Sequence, residues 1–446
     1  MPDRHLTLSR LLRVYEGEES PRELAEFALN HLRAICSECD EGYAAYARAK
    51  AHRRRPPRAV DFGAALDKAA QESAAQRARL AHDEKRARRE VTDLLALPAD
   101  QWPQKIDKAR ARYSTPAAAS ALLAESRREL RDRPAFALEL LTAARRVAER
   151  IEPGHYGPSL THEMRVRTAA HQANGLRVLG ELRGADALWP PIHAHLAEHP
   201  LDDAAIRAEL ASLEASLRQD QRRLDEAEAL LLRAEALYRK LEDRQGVAKV
   251  LVKRSTVSSL AGNFDATLEA LAEAGAWLDS EVNSGLAWTV LHNRAICLCD
   301  LERFEEAERC LLRNQAQGDS GLGVAAEVSH TWLAGRIAAG LGKTQEAREL
   351  LGRTRNEYLR RRLPFRAATV SLDLAALLLA AGETFEVKRL AQQTARTFER
   401  QSVHPQVARA LDLFQSAATA EELTTELLAE VRLRFAIPRR LLLPAD

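Results

Sequence analysis

Two histidines and two cysteines near the N-terminus stand at spacings that could hold a metal ion. Cys36 and Cys39 form a C-x-x-C, His31 lies just upstream near the end of a helical pattern, and His5 opens the first helical segment. A C-x-x-C turn can bring both sulfurs to one ion, a histidine about a turn earlier can supply a third ligand, and His5 is the natural fourth. Thiolate and imidazole ligands in a tetrahedral set favour zinc. The interval from His31 to Cys36 is H-x-x-x-x-C, so the two share a site only if the helix ends between them. The alternative is a metal-free helical hairpin whose reduced cysteines act as small hydrophobes.

The other chemistry-bearing motifs are weaker. Gly340-Leu341-Gly342-Lys343-Thr344 looks like the tail of a phosphate-binding loop, but the earlier glycine of that motif would fall at Ile337 and no strand precedes it. His162-Glu163 lacks the second histidine of a zinc-protease helix, since Val166 stands there. His193, His195 and His199 cluster after Pro190-Pro191, and Pro200 biases His199 away from helical geometry. Two ligands rarely suffice for zinc, so these read as surface histidines. Cys297, Cys299 and Cys310 read as core thiols. No serine–histidine–acid set or carboxylate pair is identifiable by spacing, and the expectation is a protein that is not an enzyme.

Between residues 47 and 58 the chain is basic without one acidic residue: Arg48, Lys50, Arg53, Arg54, Arg55 and Arg58. Such a cluster could meet phosphates or an acidic partner. No aromatic interleaves with it for base stacking, which favours a solvated linker, and Pro56-Pro57 breaks any helix there. Net charge over 446 residues is only +2, so no global field points to nucleic acid. No run of about 18 apolar residues and no apolar leader is present, which implies a cytoplasmic protein. Five cysteines in such a chain do not make a disulfide framework.

The elements that must carry any site are helices. Ala227, Thr267, Ala307, Ala347 and Val387 recur at intervals of forty residues, and Gly262, Gly342 and Gly382 each stand five residues before one of them. Phe264 and Phe304 stand three before two of them. Apolar, alanine-rich patterns over residues 247–260, 286–301, 325–341 and 365–381 each lead through a short turn into a second helix. Apolar residues at i, i+3, i+4 and i+7 put one stripe toward a neighbour. No single pair can bury its stripe on both sides, so stacked pairs supply the core.

The segments LAGNFDATLEAL, LERFEEAERCL and GLGKTQEARELL resemble the turn and second helix of the tetratricopeptide repeat. The resemblance runs from about Asp132 to Phe398. The period of forty exceeds that family's usual length of about 34, so helices or linkers must be longer, and armadillo- or HEAT-type repeats stay open. The resemblance implies an all-α solenoid in which the first helix of each pair lines a concave groove. Lys253, Asn293, Arg294, His330 and Arg336 on those helices are then the candidates for contacting a bound peptide or helix. Arginine suits bidentate carboxylate recognition.

Residues 1–52 differ in kind. Ser20 and Glu23 make a capping box with Pro21 at the first helical position. The stretch YEGEESPRELAEFALNHL resembles the zinc-binding domain of bacterial anti-sigma factors, whose pattern is an early Cys or His and then H-x-x-x-C-x-x-C. That resemblance implies zinc on His5, His31, Cys36 and Cys39 and a sigma factor or other signalling protein as partner. The expected layout is a small helical zinc-finger-like module (1–52), a basic linker and charged helical spacer (53–131), a repeat array (132–400), and capping helices with a tail (401–446). The expected function is a bacterial adaptor or regulator binding a peptide or helix, with a ligand-gated peptide receptor as the alternative.

Overall fold

The computed structural model describes residues 62–278, 284–316 and 323–420, and all the secondary structure among them is helical. The expected zinc ligands His5, His31, Cys36 and Cys39, the basic cluster from Arg48 to Arg58, and the closing tail lie outside the described residues. The chain divides into two units. One holds described residues 62–124 and Thr142–Thr168; the other holds Glu125–Leu141 and the chain from Ala169 onward.

The first unit begins with α1 (Phe62–Leu95), followed by α2 (Trp102–Lys108), α3 (Arg110–Tyr113) and the start of α4 (Pro116–Glu129). It also takes the second half of α5 (Pro134–Glu149), all of α6 (Pro153–Tyr156) and the first half of α7 (Pro158–Leu179). The apolar stripe of α1 is thin, and tyrosines supplement it. Tyr113, fully buried, donates its hydroxyl to the carbonyl of Glu90 at 3.2 Å, and Tyr156 donates to Asp83 Oδ2 at 2.8 Å. Burial, then the Asp83 carboxylate, pushes the Tyr156 phenol far above its ordinary pKa. The charged spacer expected from sequence is thus a helix with partners of its own.

The second unit continues through α8 (Leu182–Asp186) and α9 (Trp189–Glu198) into a run of regular pairs: α10 (Ala204–Asp220), α11 (Leu224–Lys240), α12 (Arg244–Leu260), α13 (Phe264–Trp277), α14 (Ser284–Asp300), α15 (Phe304–Ala316), α16 (Val324–Gly340), α17 (Thr344–Arg360), α18 (Pro364–Ala380), α19 (Thr384–Arg400) and α20 (His404–Ala420). Each helix starts twenty residues after the one before it. Helices of 17 residues joined by turns of three explain the forty-residue period. The extra length over a common tetratricopeptide unit sits in the helices. Residues 401–420, expected to form part of a terminal cap, continue the same register as α20.

The turns share one geometry. Arg222, Glu242, Gly262, Glu302, Gly342, Arg362, Gly382 and Ser402 all have positive φ, between 55° and 79°. After each, the next amide reaches back to a carbonyl five residues earlier, as from Asn263 to Ser258 and from Arg303 to Leu298, both at 2.8 Å. This left-handed closure with its 6→1 bond satisfies carbonyls the helix end would otherwise leave open. Only three of the eight are glycine; for the others the left-handed backbone costs roughly 1–2 kcal/mol each.

The five residues at forty-residue spacing open the second helix of each pair and are 0–1% exposed. Each local core draws on three consecutive helices. Val247 and Leu251 of α12 meet Leu271 and Ala274 of α13, with Leu286 and Val290 of α14 packed against them. Ala295 and Leu298 of α14, Leu311 of α15 and Leu333 and Ile337 of α16 form the next. No pair closes its core alone, which is the solenoid condition.

Within this unit the array also meets itself across long sequence separations. Asp132 accepts from the Ala325 amide at 2.9 Å, so a turn residue caps α16 from 193 positions away. Arg361 Nη2 donates to the carbonyls of Arg131 and Asp132, at 3.1 and 2.6 Å. Gly180, with φ +84°, lies so close to Phe365 that an added Cβ would fall 2.4 Å from the phenylalanine Cβ.

Candidate functional site

Residues from five alternate helices, α12, α14, α16, α18 and α20, converge on one cavity of about 770 Å³. They share it with the turn at Arg222, and the paired helices contribute mainly their first residues, Leu224, Phe264 and Phe304. Helices two apart in sequence can share one cavity only from the concave side of a curved stack. The first helix of each pair therefore lines the interior, as the repeat resemblance implies.

A polar network runs along the wall. Asp300 accepts from Arg336 Nη2 at 2.8 Å and from the Ser259 hydroxyl at 3.1 Å. Asp373 accepts from the indole N–H of Trp332 at 2.9 Å, and Arg409 approaches its other oxygen at 3.7 Å. The Arg336 guanidinium also lies 5.3 Å from the Trp332 ring centre, a cation–π distance. Burial works against its charge, but Asp373 and Asp300 outweigh burial and hold its pKa above the ordinary arginine value. Cys299 shares this wall; burial pushes its thiol up to about 11, with Arg336 opposing. A thiol so raised is not a nucleophile at neutral pH. Cys297 is likewise pushed to about 11 by burial, and Cys310 is raised too.

Of the five groove candidates, Arg336 lines the cavity. Asn293 donates to the Thr256 hydroxyl at 3.3 Å, on the neighbouring first helix. His330 sits half-buried on α16. Arg294 is exposed and turned toward the α15 side, within electrostatic reach of Glu306 and Cys310. One residue along a helix is a 100° rotation, so Asn293 and Arg294 cannot face the same space.

Lys253 is the least comfortable of the five. Its Nζ donates to the Ser212 carbonyl at 2.8 Å and to the Ser212 hydroxyl at 2.7 Å, both neutral. Burial of the ammonium head, reinforced by Arg177 and Lys249, lowers its pKa to about 7. Below pH 7 the folded protein holds this charge at full cost. As pH rises toward the ordinary lysine value near 10.5, the unfolded chain also loses its proton and the cost vanishes. Lys253→Met should therefore stabilise the array at pH 6 by about 2 kcal/mol, given about 1.4 kcal/mol per pKa unit and a stem partly in water. The advantage should shrink between pH 7 and 10. Urea titrations across that range check it, and a pH-independent difference would refute the assignment.

His193 Nε2 lies 3.0 Å from Glu214, and the His195 and His199 rings meet edge to face at 5.0 Å. Gly340–Thr344 is an inter-helix turn with Gly342 at φ +75°. Sequence reasoning missed Asp300, Asp373, Arg222 and Arg409. At forty-residue spacing the counterparts of Asp373 are Leu333, Asn293 and Lys253, so the repeat marks the inward position without fixing its chemistry.

No protein-family model matches this chain, and neither does any curated protein. Among solved structures, a Rap protein complexed with competence and sporulation factor is similar over 72% of this chain and 88% of its own, with a TM-score of 0.54 and 11% identity. That likeness is one of fold. This chain is a tetratricopeptide-like helical-repeat solenoid. Among the described residues no helix is long and apolar enough to cross a membrane.

Proposed function

We propose that this protein is a non-enzymatic regulator whose solenoid binds a short peptide in the interior cavity. The carrying observation is the convergence of five first helices on one space of about 770 Å³, within the range of about 300–1,000 Å³ for ligand sites. A helix with its side chains is about 10–12 Å across, so a space of this volume favours a short extended segment. Hydrogen-bonding side chains along the wall, Ser259, Asp300, Arg336 and Asp373 among them, suit the amides of such a segment. The raised thiol of Cys299 supports binding over covalent chemistry. The solved Rap protein of similar fold is complexed with competence and sporulation factor, and this supports a bound ligand here. The zinc and sigma-factor expectations belong to residues 1–52, and the peptide reading does not draw on them.

Ala376 is exposed and lines the cavity, so Ala376→Trp fills the space without entering the core. Full-length protein incubated with a random hexapeptide library should retain a subset detectable by mass spectrometry, and Ala376→Trp should retain at least about tenfold less. Undiminished retention by a variant with unchanged helicity would place the binding surface elsewhere.

A further inference from the structure

The charges on the cavity wall are not evenly satisfied. Asp300 is filled by Arg336 and Ser259, and Asp373 by Trp332. Arg222 is different. Its backbone holds φ +64°, at a turn position where three other turns place glycine. Its side chain reaches into the cavity and ends on a neutral group. With the Gln406 amide oxygen turned toward it, the distances are 2.9 Å from Nε and 2.7 Å from Nη2. Among the described residues no carboxylate lies within ion-pair distance of Arg222. Arg409, one helical turn beyond Gln406 on α20, meets among the described residues one carboxylate, Asp373, at 3.7 Å. The two guanidiniums are near enough to repel: burial first, and Arg409 as well, depress the pKa of Arg222, with Asp220 opposing.

Two guanidiniums face one cavity, one of them on a neutral amide and the other on Asp373 at 3.7 Å. A carboxylate between them would accept from both in the forked geometry that arginine provides. It would also offset the cost of holding a half-buried cation opposite a neutral partner. Phosphate fits less well, because a second negative charge would face Asp373 and Glu302 across the same cavity. We propose that Arg222 and Arg409, with Gln406 between them, form a carboxylate subsite of the cavity that takes a free carboxylate of the bound peptide. This rests on the peptide reading given above. Arg222 belongs to the turn between α10 and α11, whereas Arg409 belongs to α20. An occupied subsite therefore adds to the Arg222–Gln406 contact that already joins the opening of the regular array to α20.

Three sets of N-acetylated hexapeptides test this on the full chain: one with free C-termini and no Asp or Glu, one amidated and acid-free, and one amidated with a single Asp or Glu. The variants are R222G and R409Q, alone and combined. Glycine suits the left-handed turn, so R222G removes the side chain without harming the fold, and its Tm should not fall. The wild type should retain an acid-bearing set about tenfold over the acid-free amides, and the double variant should retain the two equally. Enrichment of free C-termini alone assigns the subsite to the peptide terminus; enrichment of the Asp and Glu set alone assigns it to a side chain. Peptides retained without regard to acid, or acid preference that survives in the double variant, overturn the subsite and leave the peptide reading standing. No retention of any set by the wild type overturns both.

Discussion

Arg336→Leu should destabilise the array by about 3 kcal/mol, because it leaves Asp300 without its cation and Asp373 with Arg409 at 3.7 Å in its place. Removing one partner of a buried pair costs roughly 3–5 kcal/mol, and the side chains of Arg336 and Asp300 are 22% and 25% exposed, which puts the effect toward the lower end. Ser259 would still serve Asp300, and Trp332 would still serve Asp373, but neither carries a charge. Adding Asp300→Asn should recover more than half of the loss, since an amide needs no counter-ion there. Urea unfolding of the two single variants and the double variant makes the cycle. Additive losses would show that Arg336 and Asp300 do not act as a pair. A charge reversal at Arg336 would confound affinity with stability.

Gly180→Ala should cost a similar amount, about 3 kcal/mol, for two reasons that can be separated. A left-handed residue with a Cβ costs roughly 1–2 kcal/mol. The new methyl would also sit 2.4 Å from the Phe365 Cβ, where relief requires a backbone shift, and overpacking of this kind costs about 1–3 kcal/mol. Gly262→Ala isolates the first part, for its φ is +79° but nothing lies within 4 Å of the added atom. Equal Tm losses in the two variants would mean that the contact between Gly180 and Phe365 is soft.

The sequence disclosed what repeats and hid what does not. Ala227, Thr267, Ala307, Ala347 and Val387 could be found because burial at the mouth of each second helix demands a small or compact residue every forty positions. The turns were legible only where glycine marked them; Arg222, Glu242, Glu302, Arg362 and Ser402 take the same backbone without that mark. The inward face was legible as a set of positions. Its chemistry was not, because Lys253, Asn293, Leu333 and Asp373 occupy one site of the repeat with four different side chains. Arg294 stands one residue from the repeat position of Asn293, a 100° step that turns it toward Glu306 and Cys310 of α15. Contacts such as Asp132 with Ala325 carry no local signal, since neither residue alters its own helix pattern.

Those long-range contacts bear on how many repeats the chain can have. Each interface between neighbouring helices is indifferent to the total, so a forty-residue unit could be lost or duplicated with every local core kept. The meetings of Asp132 with Ala325, Gly180 with Phe365 and Arg222 with Gln406 depend instead on the summed rotation of all the units between them. A removed unit would carry one side past the other by a whole step, and a small error in each unit would accumulate to the same end. The closure therefore acts as a gauge on the pitch of the superhelix. It fixes copy number in an architecture whose local rules leave that number free.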